Sequence, residues 1–188
     1  QGLYNVYNVV LAWLLASSIS IPCHDLIKDL SNLPLVSGRR ELFYDKRGFT
    51  VLLDYAHTEN GILNLLQSLS GYSRVIVVTG AAGGREVEKR PRIGNVLFKY
   101  SDYIVFTMDD PRFEDPKDIV SDMIGSHHDI NYTFISSRPD AINFAFQNAK
   151  KGDVVAVIGK GRDNYMAVLD KRVPYSDYDV IMKYLIKE

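Results

Sequence analysis

The sequence predicts an α/β protein: a mostly parallel sheet with helices on both faces and a short antiparallel addition at one edge. Three observations lead there. Short β-branched runs, such as Val75 to Val78 and Val154 to Ile158, alternate with longer segments whose apolar residues recur at helical spacing. The runs are apolar throughout rather than at every second residue, the pattern of strands covered on both sides. Strand and helix signals also alternate along the chain, and such repeated units require crossover connections and hence parallel pairing.

Leu3 to Ser18 reads as a helix, and Cys23 to Leu30 as a second helix after the breaker Pro22. Leu33 to Gly38 is punctuated by Pro and Gly and reads as a linker, so residues 1–36 are expected to be helices plus linker of a preceding domain. The start at Gln1 reads as a cut inside a longer protein. Residues 37–188 form the main domain. Leu42 to Tyr44 and Phe49 to Asp54 flank Asp45 to Gly48 as a hairpin into the first core strand. Asn60 to Leu69 is helical, with Ile62, Leu65, Leu66 and Leu69 on one face. Val75 to Thr79 is a strand, Arg92 to Tyr100 a helix and Tyr103 to Met108 a strand. Pro116 to Ile124 is a helix with proline in its first turn, and Tyr132 to Ser136 a strand. Pro139 to Lys150 is a helix and Val154 to Ile158 a strand. A short hairpin near Asp170 to Val173 and an amphipathic helix from Asp177 to Ile186 close the chain. The whole is Rossmann-like.

Composition removes several classes. Hydrophobic residues at 46% with 24% charged exclude wholesale disorder. A net charge of −1 argues against a general nucleic-acid surface. Val9 to Ala16 is apolar but far shorter than the roughly 20 residues of a membrane span, and no basic stretch precedes it. The single cysteine, Cys23, cannot form an internal disulfide, which fits a reducing compartment and a small core residue. No metal site is expected: His127 and His128 are adjacent surface-loop residues, His24 is solvated and no H-x-x-x-H exists. A hydrolase elbow G-x-S-x-G is missing.

Chemistry gathers where apolar runs stop. Asp54-Tyr55-Ala56-His57-Thr58 follows Phe49 to Leu53, and Thr79-Gly80 follows Val75 to Val78. Asp109-Asp110-Pro111-Arg112 follows Tyr103 to Met108, and Gly159-Lys160-Gly161 follows Val154 to Ile158. The carboxyl ends of parallel strands are where open α/β sheets bind ligands. Gly80 to Arg85 gives backbone amides access to an anion, although a turn needing positive φ explains the glycines equally well. Arg85, Lys89, Arg90 and Arg92 put cations at a helix start, where a bound anion would offset their cost. Asp109 and Asp110 can accept an ammonium and Arg112 can grip a carboxylate, so one motif suits both charged groups of an amino acid. Its bland alternative is an N-cap and turn.

Taken in order, Gly38-Arg39-Arg40-Glu41, Asp54 to Thr58, Gly83 to Arg85 with Lys89 to Pro91, Asp109 to Arg112 with Glu114 to Pro116, and Gly159 to Gly161 resemble the Mur ligases, in their diamino-acid-adding branch. Gly2 to Asn8 is similar to the last helices of that family's central domain. The resemblance implies a cytoplasmic, monomeric enzyme of peptidoglycan synthesis that uses ATP and Mg2+. Its substrates would be UDP-MurNAc-L-Ala-D-Glu and a diamino acid, joined through an acyl phosphate. The P-loop, magnesium ligands and catalytic groups would lie in the central domain, leaving no catalytic residue here and a fragment inactive alone. Residues 37–188 would be the C-terminal domain. By the resemblance Asn8, Arg39, Asp54 and His57 match nucleotide-side positions, and Arg85, Asp109, Asp110, Arg112, Gly159 and Asp163 match those holding the amino acid.

Departures bear on specificity. Asp110 stands where diaminopimelate-adding members carry Asn, Arg162-Asp163 where they carry His-Glu, and Glu59 where they carry Pro. Arg112 favours a second carboxylate and meso-diaminopimelate, whereas an extra acid at Asp110 favours L-lysine; diaminopimelate is placed first. Two other classes compete: a Rossmann-type oxidoreductase domain built on Gly80 to Arg85, and a non-catalytic amino-acid-binding module.

Overall fold

The computed structural model describes residues 3–19, 36–127 and 131–186. The expected helix at Cys23 to Leu30, most of the linker, His24 and His128 lie outside the described residues. Two compact units divide the chain, residues 1–36 and 37–188. In the first, α1 spans Leu3–Ser18. No described helix is long and apolar enough to cross a membrane.

The second unit is built on six strands: β1 (Glu41–Tyr44), β2 (Thr50–Asp54), β3 (Val75–Thr79), β4 (Tyr103–Phe106), β5 (Tyr132–Phe134) and β6 (Val154–Ile158). Their order across the sheet is β1-β2-β6-β3-β4-β5, with β1 antiparallel to β2 and every other pair parallel. The last core strand therefore lies between β2 and β3, and Val154 pairs with Thr50 on one side and Val75 on the other. A separate hairpin joins β7 (Tyr165–Val168) to β8 (Lys171–Pro174).

Alternation along β6 sorts the helices. Val154, Ala156 and Ile158 pack with apolar residues of α2 (Glu59–Gln67), α3 (Arg90–Tyr100) and α4 (Pro116–Ile124). Val155 and Val157 face α5 (Arg138–Asn148) and Ile181 of α6 (Asp177–Tyr184). Every residue of β2, β3 and β6 is buried, as continuous apolar runs require. Gly94 lets α3 approach α4 at backbone distance, since a methyl group there would strike the Met123 carbonyl.

Element boundaries moved where tertiary contacts compete. β4 stops at Phe106 rather than Met108; Thr107 N–H still bonds the Thr79 carbonyl at 2.8 Å, but Met108 reaches only the Ser136 carbonyl, at 3.4 Å. α3 begins at Arg90, after a 3-10 turn at Val87–Lys89, with Pro91 in its first turn. α6 ends at Tyr184 because Ile186 is drawn into the β1–β2 turn: its N–H donates to Asp45 Oδ2 (2.9 Å) and its carbonyl accepts from Lys46 N–H (2.9 Å).

Candidate functional site

The loops after β2, β3, β4 and β6 converge on one cleft of about 190 Å³ at the carboxyl edge of the sheet. Its lining includes Tyr55, His57, Arg85, Asp109, Asp110, Gly159 and Asp163. Six of the ten residues singled out in the sequence thus meet there. Arg112 does not line the cleft, but its Cδ lies beside Gly84, next to Arg85. Arg39 and Asp54 stand at the end of β2, and Asn8 is exposed on α1 in the other unit.

The floor is ionic. Lys160, 1% exposed, places Nζ 2.8 Å from Asp110 Oδ1, 3.7 Å from Asp109 Oδ1 and 3.8 Å from Asp163 Oδ2. Asp110 Oδ1 also accepts the Ala167 N–H at 2.8 Å. The ammonium that Asp110 binds is therefore the chain's own, and its charge is already balanced. Burial raises the pKa of Asp109, against the opposing pull of Arg138 and Lys160. Gly159, at φ +112°, has no side chain to displace Asp109, which fills the space a Cβ would take. Behind the floor Arg138 makes a bidentate pair with Asp177 (2.8 Å and 2.8 Å) and donates to the Ile158 carbonyl at 2.9 Å.

The backbone is strained beside the cleft. Asp110 and Arg112 hold φ of +44° and +53°, a left-handed conformation costing an L-residue roughly 1–2 kcal/mol. Arg112 is held by a bridge to Val168: its N–H donates to the Ala167 carbonyl (3.0 Å) and its carbonyl accepts from Leu169 N–H (2.8 Å). Arg85 is exposed and makes no hydrogen bond or ion pair with the described residues.

At the β2 end the polar groups behave differently. Asp54 Oδ2 accepts Arg40 N–H (2.8 Å) and Oδ1 accepts Ala56 N–H (2.7 Å), closing the turn on which the neighbouring residues ride. Arg39 lies 4.8 Å from the centre of the Tyr55 ring, and His57 meets the same ring edge-on at 5.0 Å. Glu41 grips Arg162 through two bonds of 2.9 and 2.7 Å, which explains the arginine at that position as a clasp between β1 and the β6 loop.

Sequence reasoning did not assign Lys160, Arg138 or Asp177 to the site. Lys160 had a signal, a cation between two glycines after an apolar strand. Asp177 had none, because its partner is 39 residues away. Among the described residues no group of three or more His, Cys, Asp or Glu could hold a metal ion.

A mostly parallel α/β sheet with an ionic cleft at its carboxyl edge defines a class of fold, and sequence comparison gives it a name: the chain belongs to the Mur ligase family. The profile of the family described as "Mur ligase, glutamate ligase domain" matches residues 38–161. Among individual proteins, the chain is 37% identical to the UDP-N-acetylmuramoyl-L-alanyl-D-glutamate–2,6-diaminopimelate ligase of Listeria monocytogenes serotype 4b, over 94% of this chain and 36% of that protein. It is 38% identical to the ligase of the same name from Caldanaerobacter subterraneus subsp. tengcongensis, over 98% of this chain and 39% of that one. A solved structure of a ligase bearing that name matches with a TM-score of 0.75 at 27% identity, covering 97% of this chain and 38% of the other. A pseudomurein peptide ligase type C from Methanothermus fervidus shares the fold, with a TM-score of 0.66 at 23% identity. The chain thus spans less than two fifths of the length of these two curated relatives.

Proposed function

We propose that this chain is the C-terminal domain of a ligase that adds meso-diaminopimelate to UDP-MurNAc-L-Ala-D-Glu during peptidoglycan synthesis in the cytoplasm. The observation that carries the reading is the cleft itself. Arg85, a guanidinium without a salt bridge among the described residues, and Asp163, a half-exposed carboxylate, line it together in a chain 37–38% identical to diaminopimelate ligases. Arg85 would take the carboxylate of the incoming amino acid through charge-assisted bonds, and Asp163, with Asp109 beneath, its ammonium. Arg112, beside Gly84, would hold the distal carboxylate. Arg39, Asp54 and His57 would serve the nucleotide; for Asn8, on α1, a nucleotide-side role is proposed separately.

In the proposed reaction ATP phosphorylates the D-glutamate side-chain carboxylate. The amine of the amino acid attacks the acyl carbon, loses a proton and expels phosphate, with ADP already formed. Mg2+ would be bound by parts of the enzyme beyond this chain. This domain contributes positioning, worth many kcal/mol when a bimolecular step becomes effectively unimolecular, and would be inactive alone.

Specificity turns on Asp110. Its charge is spent on Lys160, so it offers little to the side-chain ammonium of lysine, and the free cations favour an acceptor with a second carboxylate. Calorimetric titration of the intact ligase with meso-diaminopimelate, L-lysine and L-ornithine tests this. Diaminopimelate is expected to bind and the other two not; equal affinity for lysine would overturn the assignment. An intact protein that binds diaminopimelate but never turns over ATP would favour the non-catalytic module.

A further inference from the structure

Two motifs that carry the family resemblance are Lys89-Arg90-Pro91, whose Lys89 and Arg90 border the cleft, and Glu114-Asp115-Pro116, which lies outside its lining. In the folded chain they meet. Arg90 is 2% exposed at the start of α3. Its Nη1 donates to Glu114 Oε2 (2.7 Å) and Asp122 Oδ2 (2.9 Å). Its Nη2 donates to Glu114 Oε1 (3.0 Å) and to the Ala82 carbonyl (3.3 Å). Glu114 Oε1 in turn accepts the backbone N–H of Gly84. Between them, Gly83 N–H donates to the Asp110 carbonyl at 3.0 Å. Three successive residues of the glycine-rich loop are thereby tied to the loop after β4 or to α3.

What this ties down is the pair of free cations. Arg85 directly follows Gly84, and Arg112 packs its Cδ beside that glycine. Neither makes a salt bridge or side-chain hydrogen bond to an acid among the described residues, whereas Arg90 pairs with two. The arrangement is also a poor way to gain stability. Arg90 Nε is buried without a partner, and a buried ion pair is weak evidence for stabilisation. Burial and pairing here serve geometry.

We infer that Arg90 and Glu114 form a positioning brace, which fixes the glycine-rich loop so that Arg85 and Arg112 stand ready for the carboxylates of the incoming amino acid. This inference rests on the functional reading given above. The hydrogen bond from Arg90, and with it that from Gly84, holds the Glu114 carboxyl down to about 2, so the brace stays charged at any working pH.

Steady-state kinetics of the intact ligase carrying Glu114→Ala or Glu114→Gln test it, with thermal melting run on both. Glu114→Ala is expected to raise KM for meso-diaminopimelate about tenfold, the size of one lost charge-assisted bond, and to leave KM for ATP within about twofold. Glu114→Gln keeps an acceptor for Gly84 N–H and is expected to recover most of the loss. Arg85→Ala added to Glu114→Ala should cost less than the product of the single effects, because both act on one contact. Equal rises in both KM values, a Gln variant no better than Ala, or a lowered melting temperature with unchanged KM would each overturn the brace. A wild-type ligase inert towards every amino acid would instead overturn the functional reading, and this inference with it.

Discussion

Asp45 is 3% exposed in the turn after β1 and gathers four donors: Arg47 N–H (2.9 Å), Nε (2.7 Å) and Nη2 (2.8 Å), and Ile186 N–H (2.9 Å). Burial alone would raise its pKa; the bonds from Arg47 and Ile186 outweigh burial and hold it at about 2, against 3.8 for a free aspartate. Because the folded value is the lower one, the stabilisation is complete above the unfolded pKa and lost as pH falls from about 4 towards 2. Asp45→Asn should therefore cost about 2 kcal/mol at neutral pH, with the gap closing as pH falls to about 2. Urea unfolding at several pH values measures it, and a gap independent of pH would refute the account. The sequence displayed Asp45 only as a turn residue, since its fourth donor is 141 residues away. Asp54 and Asp110 teach the same lesson in the site. Both were legible as acids at strand ends, but the letters could not show that one closes a turn on backbone amides and the other is neutralised by Lys160.

Secondary structure was legible wherever period and punctuation agreed. α4 at Pro116–Ile124 and β6 at Val154–Ile158 coincide with their expected limits, bounded by a proline and by glycine. Ends slipped where a distant partner decided them, as when the turn at Asp45 pulls Ile186 out of α6. Gly94 shows an element-scale constraint hidden from propensity. Within a solvent-facing helix, Gly→Ala stabilises by roughly 0.5–1 kcal/mol. Here the added methyl would meet the Met123 carbonyl where α3 crosses α4, so the sign should reverse. Gly94→Ala is expected to destabilise by about 3 kcal/mol or more through overpacking, read from the shift of the denaturation midpoint. A stabilised variant would show that the helices can part freely.

At the scale of the molecule, α/β layering was legible because fully apolar strands must be covered twice, but the strand order was not. Nothing local in Val154 to Ile158 says that this segment slots between β2 and β3. Arg138 helps hold that arrangement, joining the end of β6 to Asp177 at the start of α6, while Tyr175 Oη also donates to Asp177 (2.6 Å). Removing one member of so buried a pair leaves a bare charge, so Arg138→Met should cost about 3–5 kcal/mol. Arg138→Met with Asp177→Leu should recover much of that in equilibrium unfolding; a double variant as unstable as the single one would contradict the desolvation argument. The late placement of β6 has a consequence for the nascent chain. Until residue 158 has left the ribosome, β2 and β3 have no shared neighbour and each presents an unpaired apolar edge. A polypeptide stalled or cleaved before that point would be a substrate for chaperones and an aggregation hazard, not a smaller working domain.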